Sequence, residues 1–316
     1  MSGFDPSLAV GFVLGLLAAG VRLAVPTLLA ALGEIVTERA GVLNLGLEGV
    51  MLTGALAGFV ATGWAEHVPA LAAAGLAPWL GLGTGALAGL AMGAAMAALS
   101  VWLRADQVVA GIALVALGQG VTTYVYRAVY GSLTARVVPL APVTLPWLPG
   151  VPAQDPATWL ALLLVGAVWL LLFRTTWGLA VRAAGEHPAA ADTAGIDVAR
   201  TRCTAVLLGS ALAGLGGAVL TVAQLGLFKE GVTAGRGWIA VALVIFARWR
   251  PGRALAGALL FGCATALQFR LQALDLPWLP YEALLALPYL LTLLALLRTR
   301  SRDRAPAALG TPYSDD

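Results

Sequence analysis

Charged residues are scarce in this chain. Of its 316 residues, 11% are Asp, Glu, Lys or Arg and 60% are hydrophobic, whereas soluble domains contain roughly 25% charged residues. Lysine is the scarcest charged type, because Lys229 is the only one beside eighteen arginines. This composition is typical of a polytopic membrane protein and excludes an ordinary soluble domain.

Other absences exclude most catalytic functions. Cys203 and Cys263, the only cysteines, both lie in apolar segments, so no disulfide framework is expected. The phosphate-binding motif G-x-x-x-x-G-K-[ST], the metalloprotease motif H-E-x-x-H and the hydrolase motif G-x-S-x-G do not occur. We therefore expect a chain that is not an enzyme and that needs neither a metal nor a cofactor. Its arginines are spaced between apolar runs, which also argues against nucleic-acid binding.

Apolar runs close to the roughly 20 residues that cross a bilayer fill most of the chain. They lie at 8–33, 46–65, 79–103, 107–127, 158–173, 203–224, 237–248, 254–272 and 281–297. Segments 34–45, 68–78 and 237–248 are ambiguous between re-entrant pieces and parts of kinked helices. The sequence predicts an all-α polytopic membrane protein with about eight to ten transmembrane helices, some broken or re-entrant. It predicts one transmembrane domain over 1–304 and a disordered tail over 305–316.

Arginine-rich loops indicate the orientation, because short loops rich in arginine stay in the cytoplasm. Three segments have this character: 174–202, 248–253 and the residues after Leu297. We expect a cytoplasmic C-terminus and, by counting spans, an external N-terminus. The loop 129–157 contains six prolines, which favour stiff extended structure. It is predicted to be external, either as a cap or as a simple connector.

Glycine recurs every fourth residue in one span, at Gly81, Gly85, Gly89 and Gly93. Small residues at this spacing allow another helix to approach closely. We interpret them as a packing face.

Polar side chains within the spans are the candidates for a substrate path, since such groups are costly in a bilayer and usually functional. The candidates are Glu34, Asn44, Glu48, Gln107, Gln119 and Gln224. The alternative for residues 34–48 is an ordinary cytoplasmic turn. Residues 235–251 predict either a broken helix that starts beside Gly235 and Gly237 or a short tilted span.

The longest polar stretch, 174–202, reads RTTWGLAVRAAGEHPAAADTAGIDVARTR. Pro188 suits a first helical position and Gly195 a position just past a helix end, which predicts a two-turn helix over 188–194. Gly185 is expected to end the preceding helix, and Asp197 to cap the next one. A short helix without Leu, Phe or Trp anchors suits protein docking better than lipid binding.

Three strings resemble one known family. GLAVRAAGEHPAAADTAGID is similar to the cytoplasmic coupling loop of permease subunits in the branched-chain amino acid and simple-sugar group of bacterial ABC importers. ERAGVLNLGLEG and GRGWIAVALVIFARWRP resemble more narrowly the nucleoside-uptake branch. The resemblance implies a permease in the bacterial plasma membrane that pairs with a second, related permease, with ATPase subunits and with an extracytoplasmic substrate-binding lipoprotein. It implies contact with the ATPase through seven residues of this loop: Arg182, Gly185, Glu186, Pro188, Ala191, Asp192 and Gly195.

Two rivals to nucleoside uptake stay open. One is an ABC permease for branched-chain amino acids or a simple sugar such as ribose. The other is an ion-coupled secondary transporter, which would need acidic side chains in mid-span.

Overall fold

A computed structural model of the chain describes residues 6–131, 135–144, 153–273, 286, 290 and 305–313. Within these residues the secondary structure is helical apart from turns, loops and isolated bridges. The helices are α1 (Pro6–Arg39), α2 (Leu47–Glu66), α3 (Pro69–Ala73), α4 (Ala77–Ala97), α5 (Gln107–Tyr130), α6 (Pro156–Arg174), α7 (Thr176–Glu186), α8 (Pro188–Thr193), α9 (Val198–Ala218), α10 (Arg236–Ala247) and α11 (Pro251–Ala273).

Seven of these helices are long and apolar enough to cross a membrane: α1, α2, α4, α5, α6, α9 and α11. Helix α10, with 12 residues, is about 18 Å long, too short to span a hydrocarbon core of about 30 Å unless the bilayer thins. The prediction of an all-α polytopic membrane protein is confirmed. Residues 34–39 complete α1, and 68–78 contain the five-residue helix α3. The predicted span at 281–297 lies outside the described residues, except for positions 286 and 290.

Helix α9 lies at the centre, packed against α1, α2 and α4. The predicted glycine face of α4 is confirmed: a Cβ added at Gly89 would overlap the carbonyl oxygen of Ser210, and one at Gly85 would overlap Ala218. Gly83, on another side of α4, has nothing within 4 Å of an added Cβ. The glycines therefore bring the backbones of α4 and α9 together.

Helix α1 contains Pro26, which has no N–H to donate to the carbonyl oxygen of Arg22. The side-chain amide of Gln224 donates to that oxygen instead. Gln224 lies in a π-helical segment, Val219–Leu225, that continues α9. Gln224 therefore donates to a carbonyl group that has no backbone donor because of Pro26. Its place on a substrate path stays a prediction.

The segments that connect the helices lie at the two ends of the bundle. One end, which we call the loop face, carries residues 39–46, 103–106, 174–202, 248–250 and 305–313. The opposite end carries the described parts of the proline-rich loop, where Val137 N donates to Gly226 O (2.9 Å) and Val143 pairs with Gln154. The N-terminal end of α1 is also at that opposite end.

Residues 305–313 differ from the expectation of a disordered tail. Ala308 N donates to Gly185 O (2.9 Å), and Gly310 N donates to Gly41 O (3.1 Å). These hydrogen bonds hold the segment against the loop face. The backbone partners of this segment lie on distant parts of the chain, and no local sequence pattern reveals them.

Candidate functional site

The predicted short helix of the 174–202 loop is present as α8, one residue shorter than expected. Pro188 starts it, and Gly195, with φ of +83°, follows its end. Asp197 Oδ1 accepts a hydrogen bond from Arg200 N (2.8 Å) and caps α9, as predicted. The loop therefore presents a six-residue helix between two well-defined helix ends.

Gly185 does not end α7, which continues to Glu186. It lies inside the helix at a point where a Cβ would overlap the carbonyl oxygen of Arg39. The expectation that Gly185 ends α7 is therefore corrected: glycine is needed here for close packing of α7 on the end of α1.

The seven residues expected to contact an ATPase differ in exposure. Glu186, Asp192 and Gly195 are exposed, while Arg182 and Pro188 are half-buried. Gly185 is buried, and so is Ala191, which packs with Ala184 and Val198. In this chain alone, Gly185 and Ala191 therefore hold α8 in place, and the accessible surface belongs to the other five.

Arg202 connects the segments of the loop face. It is 2% exposed, and its Nε donates to Ala40 O (3.1 Å) at the end of α1. Its Nη2 donates to Ala184 O (3.4 Å) in α7, and its Nη1 donates to Thr311 O (3.0 Å) in the C-terminal segment. One guanidinium thus fastens α1, α7, α9 and the C-terminal segment to one another.

The turn between α10 and α11 is held by the end of α1. Arg248 and Trp249 both have positive φ, 52° and 55°, which is unfavourable for residues with a Cβ. The Trp249 indole donates to Glu38, and Arg39 donates to Trp249 O (3.3 Å). Trp249 is therefore buried against the end of α1, with 6% of its surface exposed.

Three of the predicted path residues meet around the non-helical segment after α1. Gln107 Oε1 accepts from Leu43 N (2.7 Å), and Glu34 Oε1 accepts from Asn44 N (2.9 Å). Asn44 Oδ1 accepts from Gly46 N (3.1 Å). Side chains therefore satisfy backbone N–H groups of the non-helical segment between α1 and α2, and their place on a substrate path stays a prediction.

Glu48 caps the broken helix α10. One carboxylate oxygen accepts from the Thr233 hydroxyl (2.5 Å) and from Gly235 N (2.9 Å), and the other accepts from Gly237 N (2.7 Å). A carboxylate suits a helix N-terminus, where backbone N–H groups lack partners and the helix dipole is positive. The prediction of a broken helix between Gly235 and Pro251 is confirmed.

Gln119 is not part of this arrangement, because it is exposed on the outer side of α5. At the end opposite the loop face, Arg127 forms an exposed ion pair with Glu230 (2.6 Å). Hydrogen bonds from the guanidinium lower the pKa of Glu230. The described residues contain no group of three His, Cys, Asp or Glu side chains that could hold a metal ion.

Sequence reasoning missed Arg202 as a structural centre and missed a small cavity lined by Thr27, Arg236 and Gln268. A signal for Arg202 exists in retrospect: it is the last charge before a long apolar run. The partners of its side chain are far away in sequence, and no local pattern reveals them.

Comparison with known proteins decides the family. The family model described as the permease component of branched-chain amino acid transport systems matches residues 16–296. The chain belongs to this permease family. The permease is 42% identical to a putative glucose ABC transporter permease of Haloferax volcanii, over 96% of this chain and 99% of the relative.

Two further relatives are named for nucleoside transport. A guanosine ABC transporter permease of Bacillus subtilis is 36% identical over 92% of the permease and 93% of its own length. A nucleoside ABC transporter permease of Lactococcus lactis is 32% identical over 91% and 93%. No solved structure matches the permease.

Proposed function

We propose that this permease is one transmembrane subunit of an ATP-binding cassette importer and that it translocates nucleosides. Coupling to an ATPase is supported by α8, a short helix with exposed alanines at one end of a bundle of apolar helices long enough to cross a membrane. Two relatives named for guanosine and nucleoside transport support the substrate part. Together with the family, the seven apolar helices imply a multi-pass plasma-membrane protein, and we place the loop face and the C-terminus in the cytoplasm.

In this proposal ATP is hydrolysed by partner subunits, and this chain transmits their motion. The partners are ATPase subunits, an extracytoplasmic binding protein and a second related permease. A second Haloferax volcanii relative, named as a glucose ABC transporter permease, is 29% identical over 71% of this chain. It comes from the same organism as the 42% identical relative, and this supports pairing of two different permeases.

The packing of α8 supports force transmission. Ala191 anchors the inner side of α8, and Gly185 anchors α7 against the end of α1. The Glu38 and Arg39 contacts then connect α1 to the turn before α11. A push on α8 would therefore reach α1, α9 and α11 through buried contacts, and the spans would tilt as rigid elements.

The docking claim is tested by enlarging one exposed alanine. Ala190→Trp should block ATPase binding and uptake, because a bulky ring replaces a methyl group on the exposed side of α8. Thr176→Trp is the control: Thr176 is also exposed, but lies at the start of α7, about 15 Å along that helix from Glu186 at the end next to α8. Co-purification of the ATPase with an affinity-tagged permease is the measurement. Normal co-purification and uptake with Ala190→Trp would contradict the claim.

Sugar transport is the second candidate, and the 42% identical relative named for glucose supports it. The two are separated by uptake of labelled guanosine, uridine, glucose, ribose and leucine into cells that express the complete transporter. We expect saturable guanosine uptake. Uptake of glucose or leucine without guanosine would replace the nucleoside proposal.

A further inference from the structure

The cavity that sequence reasoning missed lies within the apolar bundle, between α1, the first turn of α10 and the second half of α11. Its volume is about 180 Å³, and its lining includes Thr27, Arg236, Phe261, Thr265, Gln268 and Phe269. Thr27 lies about 18 Å along α1 from Arg39. The cavity therefore lies near mid-membrane, in the half away from the loop face.

Two lining side chains are buried without a hydrogen-bond partner. Thr27 and Gln268 are each 6% exposed, and neither side chain forms a hydrogen bond within the described part of the chain. Thr37, Thr62 and Thr265 behave differently, since each donates to the carbonyl four residues earlier. Buried polar groups usually have partners. Thr27 and Gln268 line the same cavity, so one polar ligand in that cavity would supply partners to both.

The rest of the lining defines the chemistry of that ligand. Phe261 and Phe269 offer aromatic faces, and Arg236 is held at the rim by Nη1 donation to Thr233 O (3.0 Å). No acidic side chain is among the described residues that line the cavity, which disfavours a cation. A primary amide both donates and accepts, and this matches the adjacent N–H and C=O groups of a nucleobase. Aromatic rings stack on the faces of such bases.

We propose that this cavity is a binding subsite for the heterocyclic base of a nucleoside during its passage through the permease. The volume fits this assignment, because pockets for whole ligands usually exceed about 300 Å³ and this one holds a single ring system. Gln268 pairs with the polar edge of the base, Thr27 donates to it, and Phe261 packs on its face. The Glu48 carboxylate keeps the first turn of α10, which carries Arg236, in place. This subsite rests on the proposed function.

Gln268→Leu and Thr27→Val test the subsite, because each removes polar atoms and keeps the size of the side chain. Both variants should fold normally, since no hydrogen bond within the described residues is lost. Each should raise the KM for guanosine uptake about tenfold, the effect of one hydrogen bond, with an unchanged maximal rate. Gln272→Leu is the matched control: the Gln272 side-chain amide nitrogen is also buried without a partner among the described residues, but Gln272 does not line the cavity, so its KM should be unchanged.

The outcomes separate the two claims. If the wild-type transporter carries guanosine and all three variants keep its KM, the subsite is wrong and the proposed function stands. If the wild-type transporter carries no nucleoside, the proposed function fails and the subsite fails with it. Apparent melting temperatures of the detergent-solubilised variants check folding, and an unchanged temperature with a raised KM supports the subsite.

Discussion

Replacing Arg202 by methionine tests how the loop face is held together. Methionine keeps much of the side-chain length but cannot donate to the carbonyl groups of Ala40, Ala184 and Thr311. Only the bond to Thr311 joins Arg202 to the C-terminal segment, and this bond is partly accessible. Hydrogen bonds from charged donors contribute about 1.5–3 kcal/mol each, so we take the lower figure of about 1.5 kcal/mol, equal to about tenfold in the local opening equilibrium of that segment.

The assay is hydrogen exchange of peptides that contain the Ala308 and Gly310 amides, which bond to Gly185 and Gly41. We expect Arg202→Met to accelerate their exchange by about tenfold. Arg200→Met is the matched control, because the Arg200 side chain is 88% exposed and pairs only with Asp197 in an exposed ion pair (3.0 Å) within the described chain. Such pairs contribute about 0–1 kcal/mol. Equal exchange in wild type and Arg202→Met would refute the connecting role of Arg202.

Three further predictions concern packing, capping and pH. Gly89→Ala should destabilise the protein by about 1–3 kcal/mol through overlap with α9. Gly83→Ala should be neutral or stabilising by up to about 1 kcal/mol, because an added Cβ at Gly83 meets open space. Apparent melting temperatures of the two variants distinguish these effects. Glu48→Gln should cost about 2 kcal/mol, because one amide oxygen cannot replace both carboxylate oxygens; faster exchange of the first-turn amides of α10 is the readout. The pKa of Glu230 is lowered by Arg127. The ion pair therefore stabilises the folded state at pH values above the ordinary glutamate pKa, and this stabilisation is lost as the pH falls through the lowered pKa of Glu230. Wild type and Glu230→Gln should therefore differ in melting temperature at pH 7 and converge at strongly acidic pH.

The sequence was informative where the physical cause is local. Apolar runs of bilayer length predict spans because the bilayer requires them, and seven such helices are present. Pro188 and Gly195 predicted α8 because each acts through its own backbone conformation. The spacing of Gly85 and Gly89 predicted a packing face for the same reason, since four residues bring them to one side of a helix.

The sequence was uninformative where the cause is a distant partner. The partners of Glu48 are in the first turn of a helix almost 190 residues away, and its place on a substrate path stays a prediction. Gln224 likewise donates to the carbonyl of Arg22, which lies about 200 residues away in sequence. The C-terminal segment was expected to be disordered, whereas its amides donate to carbonyl groups of Gly41 and Gly185.

The rival of a different class, an ion-coupled transporter, makes a different energetic prediction from an ABC importer. An ion-coupled carrier uses the membrane gradient, whereas the proposed importer uses ATP on the side of α8. Glu34, the more buried of the two acidic path candidates, accepts a hydrogen bond from the backbone N–H of Asn44. This contact gives it a structural role that either mechanism accommodates, so the energy source has to be measured.

The most direct measurement is guanosine uptake by the complete transporter, reconstituted in liposomes with the binding protein outside and ATP inside. The account predicts uptake that requires ATP on the α8 side, persists when an uncoupler dissipates the proton gradient, and is lost with Ala190→Trp. Uptake that continues without ATP and collapses with the uncoupler would contradict it.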